Sequence, residues 1–83
     1  MAKKLYVGNL PFRTDDNELR ETFARYGNVA SARVITDRET GRSRGFGFVE
    51  FEDDSAADEA MRGLDGQDMG GRPLRVNEAR DRR

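Results

Sequence analysis

Eighty-three residues make one domain, close to the lower size limit for a chain that folds without staples. Cysteine and histidine are both absent, which excludes disulfides, thiolate chemistry, His-ligated metals and histidine base catalysis. The formal charge is −1 and the pI about 5.4, no apolar run approaches membrane-spanning length, and Met1-Ala2-Lys3-Lys4 opens no signal peptide. A soluble intracellular protein is expected, cytoplasmic in a bacterium and nuclear or cytoplasmic in a eukaryote. The charge is unevenly placed: +3 over residues 1–14, −2 over 15–27, +1 over 28–51, −6 over 52–71 and +3 over 72–83.

Residues 4–9 read as a first strand. In Leu5-Tyr6-Val7-Gly8-Asn9-Leu10, Leu5 and Val7 point inward and Tyr6 outward. Pro11 ends the strand by removing a ladder donor. Asp15-x-x-Glu18 has capping-box spacing, with Thr14 a second candidate cap, so a helix begins there. Leu19, Phe23 and Tyr26 form one apolar stripe, and Gly27-Asn28 should stop the helix as a left-handed cap. In that register Tyr26 belongs to the core or its edge.

Residues 29–36 make a second strand, with Ala30, Ala32 and Val34 on one face and Ser31, Arg33 and Ile35 on the other. The polar loop at 37–43 turns at Glu39-Thr40-Gly41 and carries Arg38 and Arg42 into solvent. It reads equally well as a solvated hairpin loop or as a mobile basic finger closing over a bound strand.

Residues 44–51, Arg-Gly-Phe-Gly-Phe-Val-Glu-Phe, carry the strongest signal. As a strand they place Arg44, Phe46, Phe48 and Glu50 on one face, and Gly45, Gly47, Val49 and Phe51 on the other. Val49 and Phe51 suit a core. Two phenylalanines beside an arginine suit a surface where nucleic-acid bases stack and a guanidinium meets a phosphate. The glycines should let the neighbouring rings lie flat and another element pack closely beneath. A sandwich strand buried on both faces, with Phe46 and Phe48 as core, is the plainer reading of the run. The strand holding Tyr6, at the right distance upstream, weighs against it. Gly45-Phe46-Gly47 does not extend to a dinucleotide fingerprint, because Glu50 stands where the third glycine belongs.

Asp53 or Asp54 should cap a second helix with Ala57, Ala60, Met61 and Leu64 along its stripe, ended by Asp65-Gly66. Residues 67–71 form a hairpin-like connection. Residues 72–79 are expected as a fourth strand with Leu74 and Val76 inward and Arg75, Asn77 and Ala79 outward. Residues 80–83 are a short charged tail.

The order β-α-β-β-α-β predicts an α+β, ferredoxin-like sandwich: a four-stranded antiparallel sheet with two helices on one face. Its open face would offer Tyr6, Ile35, Phe46 and Phe48, an exposed apolar patch of the kind that marks a binding site.

From about residue 4 to 80 the chain resembles an RNA recognition motif. Residues 44–51 fit, position for position, the octamer K/R-G-F/Y-G/A-F-V-x-F/Y. Residues 5–10 resemble the family's six-residue companion motif. The Asp37-Arg38-Glu39-Thr40-Gly41-Arg42-Ser43 loop and the Val76-Asn77-Glu78-Ala79 ending look like single-domain glycine-rich and cyanobacterial-type members, without their Gly-rich tail. The resemblance implies that Tyr6 and Phe46 stack successive bases, that Phe48 packs against the sugars, and that Arg44 pairs with a phosphate. Arg33, Ile35, Arg75 and Asn77 would flank this platform, Arg38 and Arg42 would reach over it, and main-chain groups near Ala79 and Arg80 would read base edges. A non-catalytic, monomeric binder of single-stranded RNA or single-stranded DNA is therefore expected, with modest affinity and no cofactor, metal or membrane. A protein-binding module of the same fold is disfavoured by the −8 carried on the helical segments and by the three outward aromatics. An enzyme of this topology is disfavoured because the carboxylates fall at helix caps and exposed helical positions. An engineered, consensus-like version of the family with no natural target would carry the same residues.

Overall fold

The computed structural model describes residues 3–79 and follows the expected element order. Strand β1 (Lys3–Gly8) leads through helix α1 (Asp16–Ala24) to the strands β2 (Val29–Thr36) and β3 (Ser43–Phe51). Helix α2 (Asp54–Leu64), a small hairpin of β4 (Asp68–Met69) and β5 (Arg72–Pro73), and strand β6 (Arg75–Glu78) complete it. The main sheet has the order β2-β3-β1-β6 with every neighbour antiparallel. The two motif-bearing strands, β1 and β3, thus lie side by side at its centre.

Period-two alternation decides which face each strand buries. Leu5 and Val7 from β1, Val49 and Phe51 from β3, and Val34 and Val76 from the flanking strands point to the helices. They meet Leu19 and Phe23 of α1 and Ala56, Ala57, Ala60 and Leu64 of α2. The Phe23 and Phe51 rings lie 6.2 Å apart at 57°, a tilted pair at the centre of this core. Asp15 caps α1, its Oδ1 accepting from the Glu18 amide at 2.8 Å, and Thr14 is buried instead of capping. Asp53 holds the cap position of α2 without a side-chain bond.

Several local expectations are corrected. Gly27 is not a left-handed cap: α1 closes with short-range bonds from Tyr26 to Phe23 and from Gly27 to Ala24. Gly27 is there for space, since a Cβ on it would stand 2.5 Å from the Ala56 Cβ of α2. Ala30 does not share the core face with Val34. A bulge between Val29 and Ser31 shifts the alternation, burying Val29 and exposing Ala30. β1 ends at Gly8, where Asn9 turns left-handed at φ 62° and donates from Nδ2 to the Pro73 carbonyl at 2.7 Å. The fourth long strand begins at Arg75; Arg72 and Pro73 belong to the small hairpin instead. The 37–42 loop is a turn closed by its own hydrogen bonds, compatible with either reading. Asp37 Oδ1 accepts from the Glu39 amide at 2.8 Å, and the Asp37 amide donates to the Arg42 carbonyl at 2.7 Å.

Both outer strands have an edge amide tied to a carboxylate. Asp16 Oδ1 accepts from Val34 at 2.7 Å and Asp65 Oδ1 from Val76 at 2.9 Å. Occupied edge donors leave less template for another chain's strand. Lys3, largely covered, joins β1 to α2 and β6 through Asp58 at 2.7 Å and Glu78 at 3.8 Å. The Asp58 hydrogen bond raises the Lys3 ammonium above its ordinary value of 10.5, with the charges of Asp58, Glu78 and Asp54 adding and partial burial opposing.

Truncating the core at Phe51→Ala should cost about 3–5 kcal/mol in chemical denaturation, as for other buried phenylalanines. Phe46→Ala, on the open face, should cost far less, and equal losses would mean that β3 sits in the other register. A raised lysine pKa stabilises the fold fully below its unfolded value and loses that contribution as pH rises through the folded value. With its carboxylate partners ionised, the stability difference between the parent and Lys3→Met should therefore be level around neutral pH and shrink as pH rises through and above 10.5.

Candidate nucleic-acid interface

Register, more than strand content, assembles the open face. Tyr6 pairs with Phe48 across β1 and β3, Phe48 with Arg33 across β3 and β2, and Tyr6 with Asn77 across β1 and β6. These four side chains, Arg33, Phe48, Tyr6 and Asn77, form one row across the sheet. Gly8 pairs with Phe46 on one side and Arg75 on the other, giving a second row. Tyr6 fills the gap in that row. A Cβ on Gly8 would lie 2.7 Å from the Tyr6 Oη, so the tyrosine leans over the space that glycine leaves.

The three rings form a single cluster. Centroids are 5.8 Å apart for Tyr6 and Phe46, 6.0 Å for Tyr6 and Phe48, and 6.1 Å for Phe46 and Phe48. Tyr6 and Phe46 are inclined by only 34°, whereas Phe48 stands nearly edge-on to Phe46 at 89°. All three are half-buried. Tilted and edge-to-face contacts hold each ring in place at about 0.5–1.5 kcal/mol per pair. Such rings present faces to a planar ligand without losing much freedom on binding it.

The octamer glycines act differently from expectation. Gly47 faces the backbone of β2, where any side chain would collide with the Arg33 carbonyl, so it permits close approach beside the strand instead of beneath it. Gly45 takes φ +87°, at a register shift where four residues of β3 match two of β2. The shift lies next to Phe46 and interrupts the pairing with β2, which resumes at Thr36 and Ser43.

Arg33, Arg44, Arg75 and Asn77 are exposed, and Ile35 is half-buried beside the bulge. Arg38 and Arg42 are exposed on the braced turn. The Ala79 amide donates to the Lys4 carbonyl at 2.9 Å, so that donor is taken by the sheet and cannot read a base. Arg80 lies outside the described residues. Two contributors escaped the sequence reading. Lys4 places its ammonium 5.0 Å from the Phe48 ring centroid, a cation over the platform that period-two spacing from Tyr6 would have revealed. Phe12, in the loop after β1, is 65% exposed and follows no periodic pattern.

Among the described residues no helix is long and apolar enough to cross a membrane, and no cluster of acidic side chains could hold a metal.

Residues 5–75 match the family model described as the RNA recognition motif. Over 82 residues the chain is 55% identical to glycine-rich RNA-binding protein 2, mitochondrial, of Arabidopsis thaliana, covering 99% of this chain and 52% of that protein. It spans about half the length or less of the leading curated relatives. The crystal structure of RNA binding protein PG1 superposes with a TM-score of 0.93 at 53% identity, covering 98% of each chain. The Rna15 RRM with bound RNA (GU) does so at 0.85 with 28% identity, over 94% of this chain and 83% of that one. With its octamer and hexamer side by side at the centre of a four-stranded sheet, this chain belongs to the RNA recognition motif family, whose members are RNA binders and not enzymes.

Proposed function

We propose that the open sheet face binds single-stranded RNA, with single-stranded DNA as a weaker analogue, in the manner of a base-stacking platform. The observation that carries this reading is the Tyr6–Phe46–Phe48 cluster, flanked by Lys4, Arg33 and Arg75 in register. Tyr6 and Phe46, tilted 34° to one another, each receive one base. Phe48, edge-on and topped by Lys4, packs against the sugars between them. Arg44 meets a phosphate, while Arg33, Ile35, Arg75 and Asn77 border the bases and Arg38 and Arg42 reach the backbone from the turn. Bases locked in a duplex cannot lie on these rings, so paired RNA binds poorly.

The chain acts as one domain with its working core at about residues 4–80, monomeric and without cofactor or metal. Affinity is modest, micromolar or weaker, because one module stacks only two or three bases. The Arabidopsis relative carries a mitochondrial name, which supports an intracellular setting for this chain as well.

Titration with short single-stranded RNA should move amide resonances mainly in residues 5–8, 44–48 and 75–79. Movement confined to the two helices would indicate a protein-docking module instead. Tyr6→Ala and Phe46→Ala should each cost roughly 1–3 kcal/mol of binding, the worth of one base–aromatic stack.

Salt dependence separates stacking from charge. Two to four simultaneous phosphate contacts, at about 0.7 each, predict a log–log slope of roughly −1.5 to −3. Arg44→Ala should flatten it by somewhat less than one unit. A slope near −6 would place binding on an electrostatic surface away from the sheet.

A further inference from the structure

The fifteen basic residues divide unevenly: thirteen are arginines, and the two lysines are the neighbours Lys3 and Lys4. Both lie on β1, where period-two alternation sends them to opposite faces. Lys3 points to the helices. Its ammonium meets Asp58 at 2.7 Å and Glu78 at 3.8 Å, and its side chain is only 20% exposed. Lys4 points to the open face, is exposed, and stands 5.0 Å from the Phe48 ring centroid. Glu50 is its cross-strand partner, yet Lys4 enters no ion pair among the described residues. A cleft of about 460 Å³ opens beside it, with Arg33, Phe48 and Glu50 also in the lining, so the ammonium has room around it.

The contact with Phe48 does not by itself call for lysine. An arginine sits over a ring as well and adds a fork that fits a phosphate. What lysine has and arginine lacks is an amine that can lose its proton and attack an acyl carbon. Lys3 is withheld from that chemistry in two ways. Its ammonium is covered, and the Asp58 hydrogen bond favours the protonated form, which has no lone pair to give. Lys4 remains as the reactive side-chain amine, and it stands on the candidate interface.

We propose that Lys4 is an acylation site that controls occupancy of the sheet face, with an acyl phosphate as donor. The deprotonated Nζ attacks the acyl carbon, the C–N bond forms and the C–O bond to phosphorus's oxygen breaks. Inorganic phosphate leaves, and one proton passes from the nitrogen through water to that phosphate. Nothing is oxidised or reduced. The product amide is neutral, so the cation over Phe48 is lost, and with it one point of attraction for the RNA backbone. RNA lying across Phe48 covers the amine in turn, so acylation and binding exclude each other. This inference rests on the sheet-binding reading above.

The test treats the 83-residue chain with acetyl phosphate and reads Lys3, Lys4 and the α-amine separately by fragment-ion mass spectrometry. Lys4 should be acetylated at least tenfold faster than Lys3. Lys3→Arg, which leaves Lys4 the sole lysine, should keep nearly all side-chain labelling, and Lys4→Arg should lose it. A saturating single-stranded RNA octanucleotide should slow labelling of Lys4 at least fivefold and leave the α-amine unaffected. Acetylated parent should bind that octanucleotide about threefold more weakly, with a log–log salt slope flatter by roughly 0.7. Binding by Lys4→Arg should be unmoved by the same treatment. With Phe46→Ala weakened as expected, three results would each overturn the acylation site and leave the platform standing: equal labelling of the two lysines, labelling of Lys4 indifferent to RNA, or undiminished binding once Lys4 is acetylated. If Phe46→Ala bound the octanucleotide as the parent does, the platform itself would fail, and this control with it.

Discussion

An antiparallel strand has two faces, and a slip of one residue exchanges them. Every feature of the candidate interface depends on the register of β1 against β3. Val49 and Phe51 are fully buried, as are Leu5 and Val7 across from them. Burying one such side chain is worth about 1.5–3 kcal/mol, so the inward four hold the register against any slip. Tyr6, Phe46 and Phe48 face outward as the geometric complement of that burial. The core thus stabilises a surface that, taken alone, would prefer to hide its rings.

Distances within this frame are set by the smallest residues. Gly8 gives Tyr6 room to lean toward Phe46, Gly47 lets the β2 backbone come close, and Gly27 lets Ala56 of α2 press against the end of α1. Ala57 and Ala60 keep α2 near the sheet in the same way. The bulges add direction to distance. One in β2 exposes Ala30, and one at Gly45 interrupts the β2–β3 ladder beside Phe46, so the sheet there is not flat.

Electrostatics follow the same division of faces. The helical segments hold −8 of formal charge and the strands, turn and tail hold the compensating arginines and lysines. The molecule measures 20 Å along its shortest axis, against a screening length of about 8 Å at physiological salt. Acid on the helices is therefore largely invisible to an anion resting on the sheet. A protein of net charge −1 can present a cationic surface because screening lets the two faces act separately.

Much of this was legible in the primary structure because its determinants are local. Strand alternation put Tyr6, Phe46 and Phe48 on one face, the Asp15 cap placed α1, and the octamer with its companion hexamer named the family. Those readings needed only residues within a few positions of one another. What tertiary structure alone decided are relations between distant segments. The row of Arg33, Phe48, Tyr6 and Asn77 requires the strand order β2-β3-β1-β6 and the bulge that resets β2. The reason for Gly27 lies 29 positions away at Ala56, and Phe12 stands beside Gly45 and Arg72 only once its loop meets β3 and the small hairpin. Chain neighbours specify which way a side chain points; only packing specifies what it meets there.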